Sequence, residues 1–187
     1  MMMLKYAAGL SALLIGSMAS AQTASPFGLV LEGGFEFGGD PIGYVLFSDG
    51  STQEIEAGNG LYFAGGVRIT PPATPNLDIV AVVGKKITYT AASNSDANFD
   101  RNVFKVEGRY RLNSDVWLSG GIVNHQSVEF DCDNLCNEKY QFDASTGITV
   151  GVGWQWIGLT YTNIEYSDDQ NNKYDASNFG LLLTARF

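Results

Sequence analysis

His125, Ser127 and Glu129 occupy alternate positions in Asn124-His125-Gln126-Ser127-Val128-Glu129, and alternate residues of an extended strand share one face. A hydroxyl, an imidazole and a carboxylate on one face are the parts of an activated nucleophile: the imidazole takes the hydroxyl proton and the carboxylate orients the imidazole. Side chains at i and i+2 are not thereby in hydrogen-bond contact, and geometry comes first in proton transfer. No catalytic residue is therefore assigned. A few residues on, Asp131-Cys132-Asp133-Asn134-Leu135-Cys136 contains both cysteines of the chain. Two thiols in an exported chain point to a disulfide between Cys132 and Cys136, useful for shaping a loop tip. A zinc site would want histidine beside the thiolates, and none accompanies them, so neither a metal nor another cofactor is expected.

The compartment follows from the first residues. Met1–Lys5 carries one positive charge, Tyr6–Met18 is apolar and small, and Ala19-Ser20-Ala21 is a cleavage signal before Gln22. This is the pattern of a secretory leader over residues 1–21, too short to span a bilayer. Removing 21 of the 187 residues leaves 166, enough for one domain over 22–187. The formal charge of −9 becomes −10 when Lys5 is lost. A nucleic-acid partner needs a basic face and is excluded by this balance. With 17% charged and 12% aromatic residues, the chain is also too apolar for disorder.

The mature chain reads as β throughout, because period-2 alternation recurs between Gly, Asn, Asp and Ser clusters. Phe104, Val106, Gly108 and Tyr110 alternate with Lys105, Glu107, Arg109 and Arg111, so one face is apolar and the other fully charged. Seven further runs follow the same rule, beginning near Leu29, Leu61, Leu77, Val116, Phe142, Ile157 and Asn178. Long acidic connections at 38–60, 91–101, 126–140 and 167–176 alternate with short ones at 71–76, 113–115 and 154–156. Long and short ends then fall on opposite rims of an up-and-down meander. Residues 44–56 are read as the protruding tip of the first hairpin, with two additional strands there as the alternative.

Alternation alone leaves the inward face undecided: a soluble barrel buries its apolar face, whereas a membrane barrel exposes it. The last run ends on Phe187 with apolar or small residues at every second place. Tyr62, Tyr89, Tyr110, Trp117, Trp154, Trp156 and Tyr161 lie near run ends, where interfacial girdles belong. On these features the chain resembles the small outer-membrane β-barrel superfamily of Gram-negative bacteria, the OmpA/OmpX-type transmembrane domain, over Pro26–Phe187. The resemblance implies a closed antiparallel barrel of eight strands in the cell outer membrane, with both chain ends in the periplasm. It also implies that Phe187 is the signal read by the barrel-assembly machinery. Outer-membrane lipid and lipopolysaccharide are then the surroundings, and a monomer is expected.

Inverted polarity places Glu32, Glu36, Arg68, Asp78, Lys86, Lys105, Glu107, Arg109, Arg111, Asp143 and Arg186 inside. Mixed signs at this density should pair, because isolated charges in a confined interior are costly. An eight-stranded interior is just wide enough to be filled by side chains. The lumen is thus expected to be plugged, and the function to be structural or surface-interacting through the long acidic loops. A narrow channel for small solutes is the runner-up. A lipid A-modifying enzyme comes third, since His125-Gln126-Ser127 resembles the H-x-S of the lipid A deacylase barrels, with Glu138 as the candidate acid; the following Val128-Glu129-Phe130 departs from that family's pattern. The acidic residues Asp49, Glu54, Glu56, Asp96, Asp100, Glu129, Asp131, Asp133, Glu138, Asp168 and Asp169 match no calcium loop. They read as solvated loop tips, with divalent cations at a lipopolysaccharide surface as the alternative.

Overall fold

The computed structural model describes residues 25–46, 49–89, 96–133 and 138–187. Their strands, in chain order, are β1 (Phe27–Phe37), β2 (Pro41–Leu46), β3 (Thr52–Glu56), β4 (Gly60–Ile69), β5 (Leu77–Tyr89), β6 (Asp96–Arg111), β7 (Val116–Asp133), β8 (Glu138–Phe142), β9 (Ser145–Trp154), β10 (Ile157–Asn163), β11 (Glu165–Ser167), β12 (Lys173–Asp175) and β13 (Asn178–Arg186). Eight of them form a ring of antiparallel neighbours: β1, β4, β5, β6, β7, β9, β10 and β13, with β13 returning to β1. Each is bonded on both sides, as a sheet in lipid requires. The hairpin β2–β3 forms a separate two-stranded sheet. The barrel therefore has eight strands, and residues 44–56 add none to it.

The outward face is apolar. Phe27, Leu29, Leu31, Phe63, Val67, Val106, Ile148, Val150, Leu159, Phe179 and Leu181 are all exposed, while Glu32, Asp78, Lys86, Lys105, Glu107 and Arg109 are buried. This is the polarity of a transmembrane barrel, on a closed ring of eight antiparallel strands. Period 2 also corrects the girdle assigned to the aromatics. Trp154, Trp156, Tyr110 and Tyr161 do face out, but Tyr62 and Trp117 are only 3% and 2% exposed. They sit one place out of step with the outward Leu61 and Leu118, so they point inward. A Cβ on Gly153 would lie 2.1 Å from Trp117 Cζ2, and one on Gly158 2.6 Å from its Cη2. The indole lies flat across both glycines.

The two rims differ as the connection lengths predict. At the short rim, Asn113 Oδ1 accepts from the main-chain N–H of Asp115 and Val116, both at 2.8 Å, which fixes that turn. At the long rim, much of the connecting chain turns out to be strand. β7 has 18 residues, roughly 60 Å of extended chain, against an apolar belt of about 25 Å. On its outward face the belt ends at Ile122, and Asn124 and Gln126 follow. Beyond that belt lie the distal halves of β6 and β7, β8, and the hairpins β2–β3 and β11–β12.

Candidate functional site

The barrel wall is chemically lopsided. β9, β10 and β13 present Gly151, Gly153, Gly158, Thr149, Thr160, Thr162, Gly180 and Thr184 to the interior, whereas β1, β4, β5 and β6 present the long charged chains other than Arg186 at the end of β13. Small residues on one side give the long ones room to cross. The result is three layers of ion pairs.

The middle layer is electrically balanced. Arg109 of β6 binds Glu32 of β1 through Nη2 and donates from Nε to Glu107 Oε1 at 2.6 Å. Lys105 Nζ lies 2.8 Å from Glu32 Oε2 and 3.6 Å from Glu107 Oε1. Tyr62 Oη donates to Glu32 at 3.1 Å, and Arg109 Nη1 donates to Thr184 Oγ1 of β13 at 3.3 Å. Trp117 closes the layer, with its ring centroid 5.0 Å from the Arg109 guanidinium. Two acids meet two bases.

Towards the short rim, Asp78 is shared by three guanidiniums: Arg68 at 3.4 Å, Arg111 at 3.7 Å and Arg186 at 3.6 Å. Thr70 Oγ1 donates to the same carboxylate at 2.5 Å. Towards the long rim, Lys86 pairs with Glu36 and donates to the Gly58 carbonyl at 2.5 Å. Arg101 donates to the carbonyls of Ala57 and Asn59 and to Thr88 Oγ1, each at 2.7 Å, and its guanidinium lies 3.9 Å over the Phe99 ring. These bonds strap the segment 57–59 across the outer mouth. The chain leaves β1 through Gly38 and Gly39, at φ +130° and +92°, where a side chain would be strained, and the Gly38 carbonyl accepts from Gly58 N–H of the strap at 2.9 Å.

Above the strap lies a second hydrophobic core. Phe99 is ringed by Phe130, Phe142 and Tyr166, with centroids 6.0–6.3 Å apart and steep interplanar angles; Ile55, Val128 and Ile164 are buried with it. The outer part of the molecule is thus a packed cap. At its base His125 Nδ1 lies 2.6 Å from Tyr166 Oη. Burial, and then the nearby cations Lys86 and Arg101, push the His125 pKa well below its usual value. Burial raises the Tyr166 phenol to about 12. The neutral imidazole is thereby favoured, and it shares this hydrogen bond with the phenol.

Of the eleven residues expected inside, Glu32, Asp78, Lys86, Lys105, Glu107 and Arg109 are buried, Glu36, Arg68 and Arg111 are half-buried, and the Arg186 side chain is 29% exposed at the short rim. Asp143 is the exception: the chain breaks between β8 and β9 at Asp143-Ala144, its N–H bonds to the Ser167 carbonyl, and its side chain is exposed. The expected single face for His125, Ser127 and Glu129 is overturned by a β-bulge. Ser127 has φ +49° and the β6–β7 register shifts between Asp100 and Asn102, so parity inverts. His125 then points inward, with Val128 and Phe130 buried beyond it, while Ser127 is exposed and Glu129 faces the other way. The side chains of Cys132 and Glu138, all of Cys136, and the leader 1–21 lie outside the described residues. Arg101 and the cap residues Phe99, Val128 and Phe130 were missed because 91–101 and 126–140 read as loops, and Tyr166 because it stands at the end of the run 157–166. The available signal was the alternation Phe99, Arg101, Val103, Lys105, which runs unbroken into β6.

Of the acidic residues, Asp100, Glu129 and Asp131 line one cleft of about 430 Å³ with Ile87, Thr88 and Asn98 on the flank of β5–β7; Lys85 Nζ lies 3.6 Å from Asp100 there. Phe187 faces outward and exchanges two main-chain hydrogen bonds with Leu29, each 3.0 Å.

No protein-family model matches the chain, and no curated protein matches it. Among solved structures, it is similar to Ail, the attachment invasion locus protein of Yersinia pestis, crystallised with the heparin analogue sucrose octasulfate. The identity is 12% and the TM-score 0.49, over 86% of this chain and 97% of Ail.

Proposed function

We propose that the protein is a monomeric outer-membrane barrel whose work is done by its rigid acidic cap, on a lumen closed to solutes. The observation that carries this reading is the sorting of charge. Seven of the eleven basic residues, namely Arg68, Lys86, Arg101, Lys105, Arg109, Arg111 and Arg186, are drawn into the lumen. Among the residues whose side chains are described, the cap surface carries Asp40, Asp49, Glu54, Glu56, Asp100, Glu129, Asp131, Asp143, Glu165, Asp168, Asp169 and Asp175 against Lys85 and Lys173, and Lys139 of β8 lies opposite Asp131 in the strand register. A surface of this sign attracts cationic partners, either basic segments of a macromolecule or divalent cations bridging to lipopolysaccharide, and repels polyanions. The sulfated ligand of the Ail crystals is therefore not carried over.

In this reading residues 1–21 are a cleaved leader, 22–187 the barrel, Phe187 the mark recognised by the assembly machinery, and Cys132–Cys136 a disulfide at the tip of the β7–β8 hairpin. The crossing ion pairs and the strap at 57–59 support the closed lumen. A catalytic role for His125 and Ser127 is not part of this reading, because the bulge at Ser127 turns the two side chains to different faces.

The test is binding to the folded barrel in nanodiscs. Polylysine should bind and be released as salt rises, and heparin should not bind. Heparin binding without polylysine binding would overturn the proposal.

A further inference from the structure

We propose that the short-rim mouth of the barrel binds a phosphate group between Arg68, Arg111 and Arg186. Three guanidiniums converge there on the single carboxylate of Asp78. The next layer up gives no further negative charge, since Glu32 and Glu107 are matched by Lys105 and Arg109. Set against Asp78 alone, the three guanidiniums leave the mouth positively charged; the Phe187 main-chain oxygen, 2.7 Å from the same Gly28 Cβ position that lies 2.9 Å from Arg68 Nη2, is a further acceptor beside them. Asp78 is fully buried behind the cluster, whereas the side chains of Arg68, Arg111 and Arg186 are 14%, 33% and 29% exposed. Their outer edges face water. Arg68 also keeps a buried Nε–H with no acceptor among the described residues, although its Nη1 is bonded to Thr70 Oγ1 at 2.6 Å. The site is built to hold that group in place. A Cβ on Gly28 would come within 2.9 Å of Arg68 Nη2, so the guanidinium lies across a glycine of β1, and Arg111 is anchored by the Pro75 carbonyl.

Forked guanidiniums recognise carboxylate and phosphate oxygens. The three arginines come from β4, β6 and β13, from different sides of the ring. Donors arriving from three directions fit the oxygens of a tetrahedral phosphate better than the two coplanar oxygens of a carboxylate. The phosphate comes either from free phosphate or from a lipid headgroup at the inner leaflet. Only the second source rests on the membrane orientation proposed above.

The test follows the arginine Nε–Hε NMR signals of the full folded barrel in dodecyl maltoside as inorganic phosphate replaces chloride at constant ionic strength. The expected result is saturable displacement of the Arg68, Arg111 and Arg186 signals with Arg101 unmoved. Affinity should fall about tenfold in Arg111→Gln, since a charged hydrogen bond is lost. It should rise in Asp78→Asn, which removes the competing carboxylate; retained heat-modifiability reports that each variant is folded. In phosphatidylglycerol nanodiscs, signals already displaced and insensitive to added phosphate assign the site to lipid, and a continued response assigns it to free phosphate. Both outcomes support the site. Displacement that does not saturate, or that is unchanged in Arg111→Gln, would overturn it.

Discussion

Arg109 and Glu32 are 77 residues apart in sequence and form a buried ion pair across the interior of the barrel. Both side chains are fully buried, so neither charge has water to fall back on. Removing one partner strands the other, which costs far more than removing the pair. Arg109→Met should destabilise the folded barrel by about 3–5 kcal/mol, and replacing Glu32, Glu107 and Arg109 together by apolar residues should cost less than that single change. Urea unfolding in lipid vesicles measures both.

The cap gives a separate prediction. Phe99 is completely buried among Phe130, Phe142 and Tyr166. Phe99→Ala should cost about 3–5 kcal/mol, as aromatic truncations in cores do, and the loss should fall on the cap. Limited proteolysis should then cut within β7–β8 or β2–β3 while the barrel keeps its shifted migration on unboiled gels.

His125 makes the cap sensitive to acid. Its folded pKa is depressed, so the unfolded state binds the proton more readily, and stability falls as pH drops below about 6.5 towards the folded value. The cations facing it are Lys86 and Arg101. The protection of the Tyr166 and Val128 amides from hydrogen exchange, relative to the intrinsic rate at each pH, should fall between pH 7.5 and 5, and His125→Gln should flatten that dependence.

The wall beneath Trp117 is predicted to be intolerant of side chains. Gly153→Val places methyl groups where the indole lies, at a cost of about 1–3 kcal/mol for overpacking. The variant should fold more slowly into detergent, and its Trp117 fluorescence should shift. Ile148→Val, on the lipid face, should leave both unchanged.

The barrel was legible because polarity alternates cleanly where one face meets lipid and the other is confined. Lys105, Glu107, Arg109 and Arg111 show it in four consecutive odd positions. Legibility fails where that asymmetry ends. Beyond Ile122 both faces of β7 are mixed, the bulge at Ser127 inverts parity without any glycine or proline to mark it, and β8 and β11 are too short to carry a period. The pairing of ions also lay outside the sequence. Face alone assigns Glu32 and Arg109 to the interior, but only the closure of β6 on β7 and of β13 on β1 sets them against each other. Tyr62 and Trp117 read as girdle residues by type, and the register overrules type.

The inversion of polarity is tested most directly by nuclear Overhauser contacts between lipid acyl chains and methyl groups of the folded barrel. Leu31, Ile148, Leu159 and Leu181 should show acyl contacts, and Val30, Val82, Val123 and Leu182 should show none. Acyl contacts at the second set, or a chain that folds in water without lipid or detergent, would contradict the account.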